Sequence, residues 1–528
     1  MGPPPEKMEV LTMRLSSIAA LTALIFFALV HLCYLSTPFV SGEFVYSRYA
    51  EKLLTGGMGE DLMHFLELIA NPLSSLYVIV PFQVVLGPSE SAARLPSFLS
   101  GIALVVFLVI AVRRIKGAKT AVLAACIILL NPMYWSCSSL AYTDVPFCFF
   151  SGGGLLFCIL ALLYGRPVLH WPAALFLALS ALIKFNGVVF LLLAAVLVVV
   201  HLGRGGFKYL IPYVILPVVV DFPVYLVIVS RYGFLIHPRL SLLHRPRLDM
   251  VYIYFPAYLL WLGLFMGPLL LLPCCRVLAS IRRKTISLIL AAGLLLICAL
   301  FCLSGWGDGY LARLHEMGEY EMNIGWFELL LGDRAFTLCI VLILALSAVA
   351  FVDIIAWMRR GSANLFLGIW LISVLLIGSV SRPANRYLLF ILVPLAVYLA
   401  DIFASLDDRW RIRWPLRVYF VTSLILLALV CFVTTSFWIG ARGSASAEAV
   451  RYVTEHRLSP AYLDWRVTSH SRYLADESLL TGDEVRARYL VVGRFAGEEA
   501  RGGSVLFSRG VSLMGRPVVV YEVIEKNE

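Results

Sequence analysis

Residues 171–230 read WPAALFLALSALIKFNGVVFLLLAAVLVVVHLGRGGFKYLIPYVILPVVVDFPVYLVIVS. Three apolar runs, 171–184, 187–202 and 210–230, are interrupted only by Lys184-Phe185-Asn186 and by a glycine-rich basic turn from Gly203 to Lys208. Runs of this kind match helices that cross the hydrocarbon of a bilayer. The same pattern recurs at about 15–37, 93–112, 118–135, 145–164, 252–273, 286–303, 335–357, 363–380, 387–404 and 417–439, which makes thirteen expected spans. Composition agrees: 61% of the 528 residues are hydrophobic and 14% charged, against about half and about a quarter in soluble domains. The expected fold class is an all-α polytopic membrane protein, which excludes a secreted enzyme and a single-pass receptor.

The net charge of +10 takes its meaning from its distribution. With the N-terminus inside, one set of loops collects nineteen cations, from Lys7 and Arg14 through Arg113, Arg114, Arg166, Arg204, Lys208 and Arg282 to Arg417. Those loops hold four acids, Glu6, Glu9, Asp407 and Asp408. Short cytoplasmic loops of membrane proteins carry this excess. The charge therefore reports orientation, and nucleic acid is not an expected partner. The first span is long for a secretory signal and has no small-residue cleavage site after it, so it is expected to be retained. The eleven cysteines lie in or beside spans, with neither a disulfide framework nor zinc-ligand spacing.

Two segments on the opposite, extracytoplasmic side are long. In the first outer loop, 38–91, Glu43 to Thr55 places Tyr46, Tyr49, Ala50, Leu53 and Leu54 on one helical face, which predicts an amphipathic helix on the membrane surface. The apolar stretch from Pro72 to Leu86 is short and bracketed by prolines, so it is expected to be re-entrant or interfacial. The second long segment divides the chain: residues 1–439 form the membrane domain, and 440–528 a small soluble α/β domain. In the latter, a helix near Ala445 to His456 precedes strands at Tyr489–Val492, Val505–Phe507 and Pro517–Val523.

Ionisable residues at the ends of spans are costly, and a one-sided cluster of them points to function. The outer side holds Glu43, Asp144, Lys184, His237, Arg239, His244, Arg245, Arg247, Arg382 and Arg386. Carboxylates facing several cations suit a reaction in which an acid takes a proton while an anionic leaving group, such as a phosphate, is stabilised. The plainer readings are that Lys184, Arg382 and Arg386 snorkel to the interface and that Asp144 caps a helix. Asp221, Asp353 and Asp401 fall within spans and admit a transporter reading through proton relays, although no internal repeat of the transporter kind is present.

The strings SGEFVYSRYAEKLLTGG (41–57), NPLSSLYVIVPFQVVLGPSESAARLPS (71–97), SLAYTDVPFCFF (139–150) and ALIKFNGVVF (181–190), in this order, resemble the polyprenyl-phosphate-sugar glycosyltransferases. That family includes the protein O-mannosyltransferases and the lipid A aminoarabinose transferases. The likeness covers about residues 15–265, including HRPRLDMVYIYFPAYLLWLG from His244, and returns weakly at SRPANRYLLFILVPL (381–395). It implies the C-class glycosyltransferase fold, with the active site under the first outer loop. The implied reaction is inverting transfer of a monosaccharide from a polyprenyl phosphate to a protein, lipid or glycan acceptor, with no cofactor required.

Carried onto this chain, the family's acidic position before the fourth span falls on Asp144 and its lysine after the fifth on Lys184. Lys184, Arg245, Arg386, Arg48 and Arg94 become expected phosphate or donor contacts. Tyr46, Asn71, His244 and Tyr387 become expected acceptor or sugar contacts. The family's Asp-Glu, whose Asp is taken as the catalytic carboxylate, reads Gly42-Glu43 here. Three resolutions stay open: Glu43 acts as the base, a carboxylate from Glu60, Asp61 or Asp144 takes over, or the chain is a non-catalytic homologue. A divalent-metal role for His64 and Glu67, and an acceptor channel along the acidic and aromatic stretch from Ser304 to Asp333, are weaker expectations.

Overall fold

In hydrocarbon a backbone must satisfy its own hydrogen bonds, and long apolar runs do so as helices. The computed structural model describes residues 5–39, 43–59, 62–69, 71–238, 248, 251–278, 333–380, 385–409, 413–463, 486–495, 503–513 and 516–526. The first half contains α1 Pro5–Tyr34, α2 Glu43–Gly56, α3 Met63–Leu68, α4 Val80–Leu86, α5 Glu90–Lys116, α6 Ala118–Leu129 and α7 Pro132–Ser138. It continues with α8 Asp144–Tyr164, α9 His170–Ile183, α10 Gly187–Leu202 and α11 Ile211–Tyr232. Then come α12 Val251–Met266, α13 Leu271–Leu278, α14 Asp333–Met358, α15 Ser362–Val380, α16 Leu389–Arg409, α17 Arg413–Thr435 and α18 Arg442–Glu455.

Among the described residues, seven helices are long and apolar enough to cross a membrane, or nine if each of two bent pairs is one span. The thirteen expected runs map onto these unevenly. Residues 286–303 lie outside the described residues, 15–37 and 171–184 become the shorter apolar helices Ala20–Tyr34 and Pro167–Ile183, and Gly187–Tyr232 is one apolar stretch. The expected run 118–135 is bent by 64° between α6 and α7. Pro132 cannot continue the preceding helix, and Asn131 restarts it by accepting from the amides of Met133 and Tyr134 at 3.1 and 3.2 Å.

The core runs through α5, α6, α8, α9 and α16, with Trp135, Trp261, Trp357 and Trp370 fully buried. Helices approach closely where side chains vanish. A Cβ on Gly153 would meet Phe176 at 2.8 Å and one on Gly154 would meet Leu177 at 2.6 Å, so α8 rests on α9 through glycine. Leu192, Val214, Val218 and Leu429 are instead exposed, as lipid-facing positions are in a multi-pass membrane protein.

Three acids at the end of the bundle opposite Asp144 are held inside it. Asp353 accepts from Arg276 Nε at 3.1 Å, from a second Arg276 nitrogen, and from the Tyr398 hydroxyl at 2.8 Å. Asp401 accepts from Trp357 Nε1 at 2.7 Å and lies 3.6 Å from Lys116. Asp407 is shared by Lys119 at 3.0 Å and Arg417 at 2.8 Å. Asp353 and Asp401, open to a relay reading in the sequence, thus sit in ion-pair networks between helices. Asp221, in the middle of α11, is buried with Oδ1 unpartnered among the described residues.

The Pro72–Leu86 stretch is a 3₁₀ turn, Leu73–Val78, followed by α4, and is too short to span. The C-terminal segment forms a four-stranded sheet of order β1-β2-β4-β3, from Ala461–Leu463, Tyr489–Phe495, Ser504–Leu513 and Arg516–Glu525. β1 runs parallel to β2, and the other pairs are antiparallel. Alternate residues Val491, Val511, Tyr521 and Val523 turn to one face, where Ala445, Ala449, Val450 and Val453 of α18 cover them. The three expected strands lie within β2, β3 and β4; β1 is short and lacked an alternating signal.

Breaking a buried ion pair from one side strands a charge, whereas removing both partners does not. Asp353→Ala is expected to lower stability by about 3–5 kcal/mol, read as thermal loss of monodispersity in detergent. The double variant Arg276→Met/Asp353→Leu is expected to recover most of it.

Candidate active site

The loop between α1 and α5 is built around one guanidinium. Arg94 lies in the first turn and a half of α5, which Ser89 caps by accepting from the Ala92 amide at 3.2 Å. Its Nε and Nη2 donate to the two oxygens of Glu43, each at 2.8 Å. Nη1 donates to the carbonyls of Tyr34 and Thr37 at 2.9 and 2.6 Å and to the Thr37 hydroxyl at 2.9 Å. Nη2 also reaches the Pro38 carbonyl at 3.1 Å. Both side chains are completely buried. Glu43 further accepts from the Ala141 amide at 2.7 Å. Both oxygens of the carboxylate expected to act as base are therefore engaged, and Arg94, expected to touch phosphate, is committed to Glu43 and to the chain around it.

α2 forms where the amphipathic pattern predicts. Its apolar face, with Tyr46, Tyr49 and Ala50, packs on Phe65, Leu73, Leu76 and Tyr142 of the protein. That is a correction to the expected membrane-surface helix: Ser47, on its polar side, is buried too, because Gln83 Nε2 donates to both its carbonyl and its hydroxyl at 3.0 Å. Only Leu54, toward the end of the apolar stripe, is exposed among the face residues named in the sequence.

Asp144 and Lys184 form the second buried pair, with Nζ donating to Oδ1 at 2.6 Å and both side chains at most 5% exposed. Thr143, and not Asp144, holds the N-cap position of α8, without a side-chain cap bond; Asp144 stands in the first turn and its carboxylate accepts from Lys184. Oδ2 is left without a hydrogen bond among the described residues. Lys184 ends α9 in an extended conformation, and the Lys184–Gly187 turn folds back on that helix. A Cβ on Gly187 would lie 2.3 Å from the Ala181 nitrogen, so glycine is required there. Ser74 of the first loop and Tyr225 of α11 both donate to the end of α9, to Leu182 and Ala181, at 2.6 Å.

Lys184 Nζ also stands 5.9 Å from the Tyr387 ring and 6.0 Å from the Phe390 ring. Those rings, with Phe190, Tyr258, Asn186 and Ile377, border a cavity of about 100 Å³. Ile377 is itself 42% exposed, so the cavity reaches the surface of the bundle. The aromatic walls sit inside runs that read only as spans, and nothing in the sequence separates Phe190, Tyr258 or Phe390 from ordinary core.

Tyr46 and Asn71, both expected substrate contacts, are brought together: Asn71 Nδ2 donates to the Tyr46 hydroxyl at 2.9 Å, and the Tyr46 ring packs 6.1 Å from Tyr142. Arg48 is half-buried, and its Nε makes no hydrogen bond among the described residues. His237 lies against Phe234. Gly42, Glu60, Asp61, Arg239, His244, Arg245, Arg247, Arg382 and nearly all of the acidic stretch 304–333 lie outside the described residues, as does the side chain of Arg386. His64 Nδ1 and Glu67 are 3.1 Å apart and exposed, and no group of three or more metal-ligating residues occurs among the described residues.

Residues 70–229 match the family model described as dolichyl-phosphate-mannose-protein mannosyltransferase, so the family resemblance read from the sequence is shown. The chain is also similar to ArnT from Cupriavidus metallidurans in the apo state, at 13% identity and a TM-score of 0.52, with 96% of this chain and 97% of that one covered. For the same protein bound to undecaprenyl phosphate the figures are 13%, 0.51, 98% and 98%. At this identity the likeness is one of fold. No curated protein matches the chain in sequence.

Arg94→Ala would leave Glu43 buried and uncompensated, at an expected loss of about 3–5 kcal/mol. Arg94→Lys is expected to rescue little, because an ammonium cannot donate to both Glu43 oxygens and reach the Tyr34, Thr37 and Pro38 carbonyls. Thermal unfolding of the purified variants checks both.

Proposed function

We propose that this chain is a membrane glycosyltransferase that moves a monosaccharide, with inversion, from a polyprenyl phosphate to an acceptor on the extracytoplasmic face. The observation that carries the reading is the buried Asp144–Lys184 pair beside a mainly apolar cavity that reaches the bundle surface. The apolar lining suits the isoprene unit nearest the phosphate, which would meet Lys184 at the aromatic end. The family match over residues 70–229 and the shared fold support the same reaction class. The thirteen-span topology with a cytoplasmic N-terminus and an extracytoplasmic C-terminal domain belongs to this proposal, since the basic loops then lie inside.

In the proposed step the acceptor oxygen attacks the anomeric carbon, the bond from that carbon to the phosphate oxygen breaks, and the electron pair leaves with the polyprenyl phosphate. Lys184 balances the charge of the departing phosphate, assisted by Arg48, whose Nε is unspent among the described residues, and by Arg245 and Arg386. Asp144 takes the acceptor proton at Oδ2. Glu43 acts on the site through the Ala141 amide, three residues before Asp144, and is thus a positioning residue. Tyr46, Asn71, His244 and Tyr387 contact sugar or acceptor.

The absence of the family aspartate at Gly42 favours a second reading, a non-catalytic homologue that binds the lipid-linked sugar. Polyprenyl-phosphate release by the chain in nanodiscs, supplied with lipid-linked sugars and acceptors from host membranes, separates the two. Asp144→Asn is expected to lower release by about 10²–10⁴-fold, the usual worth of a general base. Glu43→Gln is expected to lower it less and to leave the shape of the pH profile unchanged. Bound lipid with no release by the unmutated chain would sink the enzyme reading, and gain of release in Gly42→Asp would identify a silenced site. A Glu43→Gln loss equal to that of Asp144→Asn, with an altered pH profile, would return the base to Glu43.

A further inference from the structure

The end of the bundle opposite Asp144 is divided in its charge. On α5, α6, α13 and α17, the cations Lys116, Lys119, Arg276 and Arg417 are neutralised by Asp401, Asp407 and Asp353. The α8–α9 turn and the segment between α10 and α11 lie in a stretch, Val145 to Val220, that holds no Asp or Glu of its own. Arg166, Arg204 and Lys208 are exposed there and form no ion pair among the described residues.

These cations belong to one structural unit. Gly203, at φ +57, turns the chain out of α10 into a 3₁₀ segment, Gly203–Leu210. The ring of Tyr209, with Lys208 Nζ 5.0 Å from its centroid, stacks on His170 at 5.3 Å. The Tyr213 hydroxyl lies 3.0 Å from His170 Nδ1. The Arg166 turn and the Arg204–Lys208 segment are therefore fastened side by side. Around them Tyr164, Val168, Trp171 and Phe207 are 51, 74, 46 and 60% exposed, and this apolar rim continues into exposed Val200, Ile211 and Val214 on the lipid-facing surface.

We propose that this unit binds the headgroup of an anionic phospholipid in the leaflet opposite the candidate active site. Charge complementarity points to a partner that brings negative charge, since no acid among the described residues pairs with these three cations. Aromatic and aliphatic side chains exposed at the same level fit the boundary between headgroups and acyl chains, which selects a lipid over a soluble acidic protein. The inference does not depend on what reaction the Asp144–Lys184 site performs.

The test uses the full chain in neutral detergent, with retention of phosphatidylglycerol and phosphatidylcholine read by native mass spectrometry and by titration of a fluorescent analogue of each. Phosphatidylglycerol is expected to be retained in preference. Arg166→Gln/Arg204→Gln/Lys208→Gln together are expected to weaken its binding on the order of a hundredfold, from about 1 kcal/mol per cation near an anionic surface. Arg204→Gln and Lys208→Gln singly, each about fivefold on the same basis, serve if the triple variant fails to fold. Arg359→Gln/Arg360→Gln, at the same end of the bundle, is expected to change binding less than about twofold, as removal of charge outside the site should. Equal losses in that control would mean a diffuse charge effect and overturn the site. So would equal retention of the two lipids, full competition by inorganic phosphate, or capture of an acidic protein without lipid.

Discussion

A guanidinium with five donors, buried where water cannot serve it, must spend those donors on protein. Arg94 does so on Glu43, on the carbonyls of Tyr34, Thr37 and Pro38, and on the Thr37 hydroxyl. The bonds fix the end of α1 and the start of α2 relative to α5. Through Glu43 and the Ala141 amide they also fix the approach to α8. The loop between α1 and α5 is therefore located by an ion pair and not by apolar contact alone. Because the fork is planar and bidentate, it sets orientation as well as distance. Asp144, three residues beyond Ala141, inherits that placement.

The second buried pair has a different character. Asp144 and Lys184 come from adjacent ends of α8 and α9, which glycine lets pack closely, and a glycine-dependent turn carries the chain on from Lys184. Among the described residues one carboxylate oxygen of Asp144 accepts a hydrogen bond and the other does not, and the lysine faces two aromatic rings at the edge of a cavity. A pair with unspent capacity beside an apolar space is suited to chemistry. A pair with none, like Glu43–Arg94, is suited to support. The distinction rests on counting donors and acceptors, since residue type alone would make both carboxylates equal candidates.

The opposite end of the bundle shows how charge in a membrane protein divides between architecture and surface. Asp353, Asp401 and Asp407 hold helices together by taking cations out of circulation. The acid-free stretch between Val145 and Val220 leaves its cations exposed at the rim. Both patterns contribute to the same basic excess when charges are counted along the chain.

The sequence by itself determined the membrane class, most of the apolar helices, three of the four strands of the C-terminal sheet and the family resemblance. Each of these follows from local quantities: the length of an apolar run, a period of 3.6 or 2, or a short string of residues. It also picked out Glu43, Asp144 and Lys184 as members of a one-sided ionisable cluster, and the resemblance added Arg94 as a phosphate contact. Which of them pair was decided only by tertiary structure, for Glu43 and Arg94 are 51 positions apart and Glu43 and Ala141 are 98. The cavity walls and the true surroundings of α2 were likewise invisible, because Phe190, Tyr258 and Phe390 look like any core aromatic until a neighbour is missing. Hydrogen-bond capacity is a property of the assembled neighbourhood, and so whether a buried carboxylate supports the fold or remains free to react cannot be read along one chain.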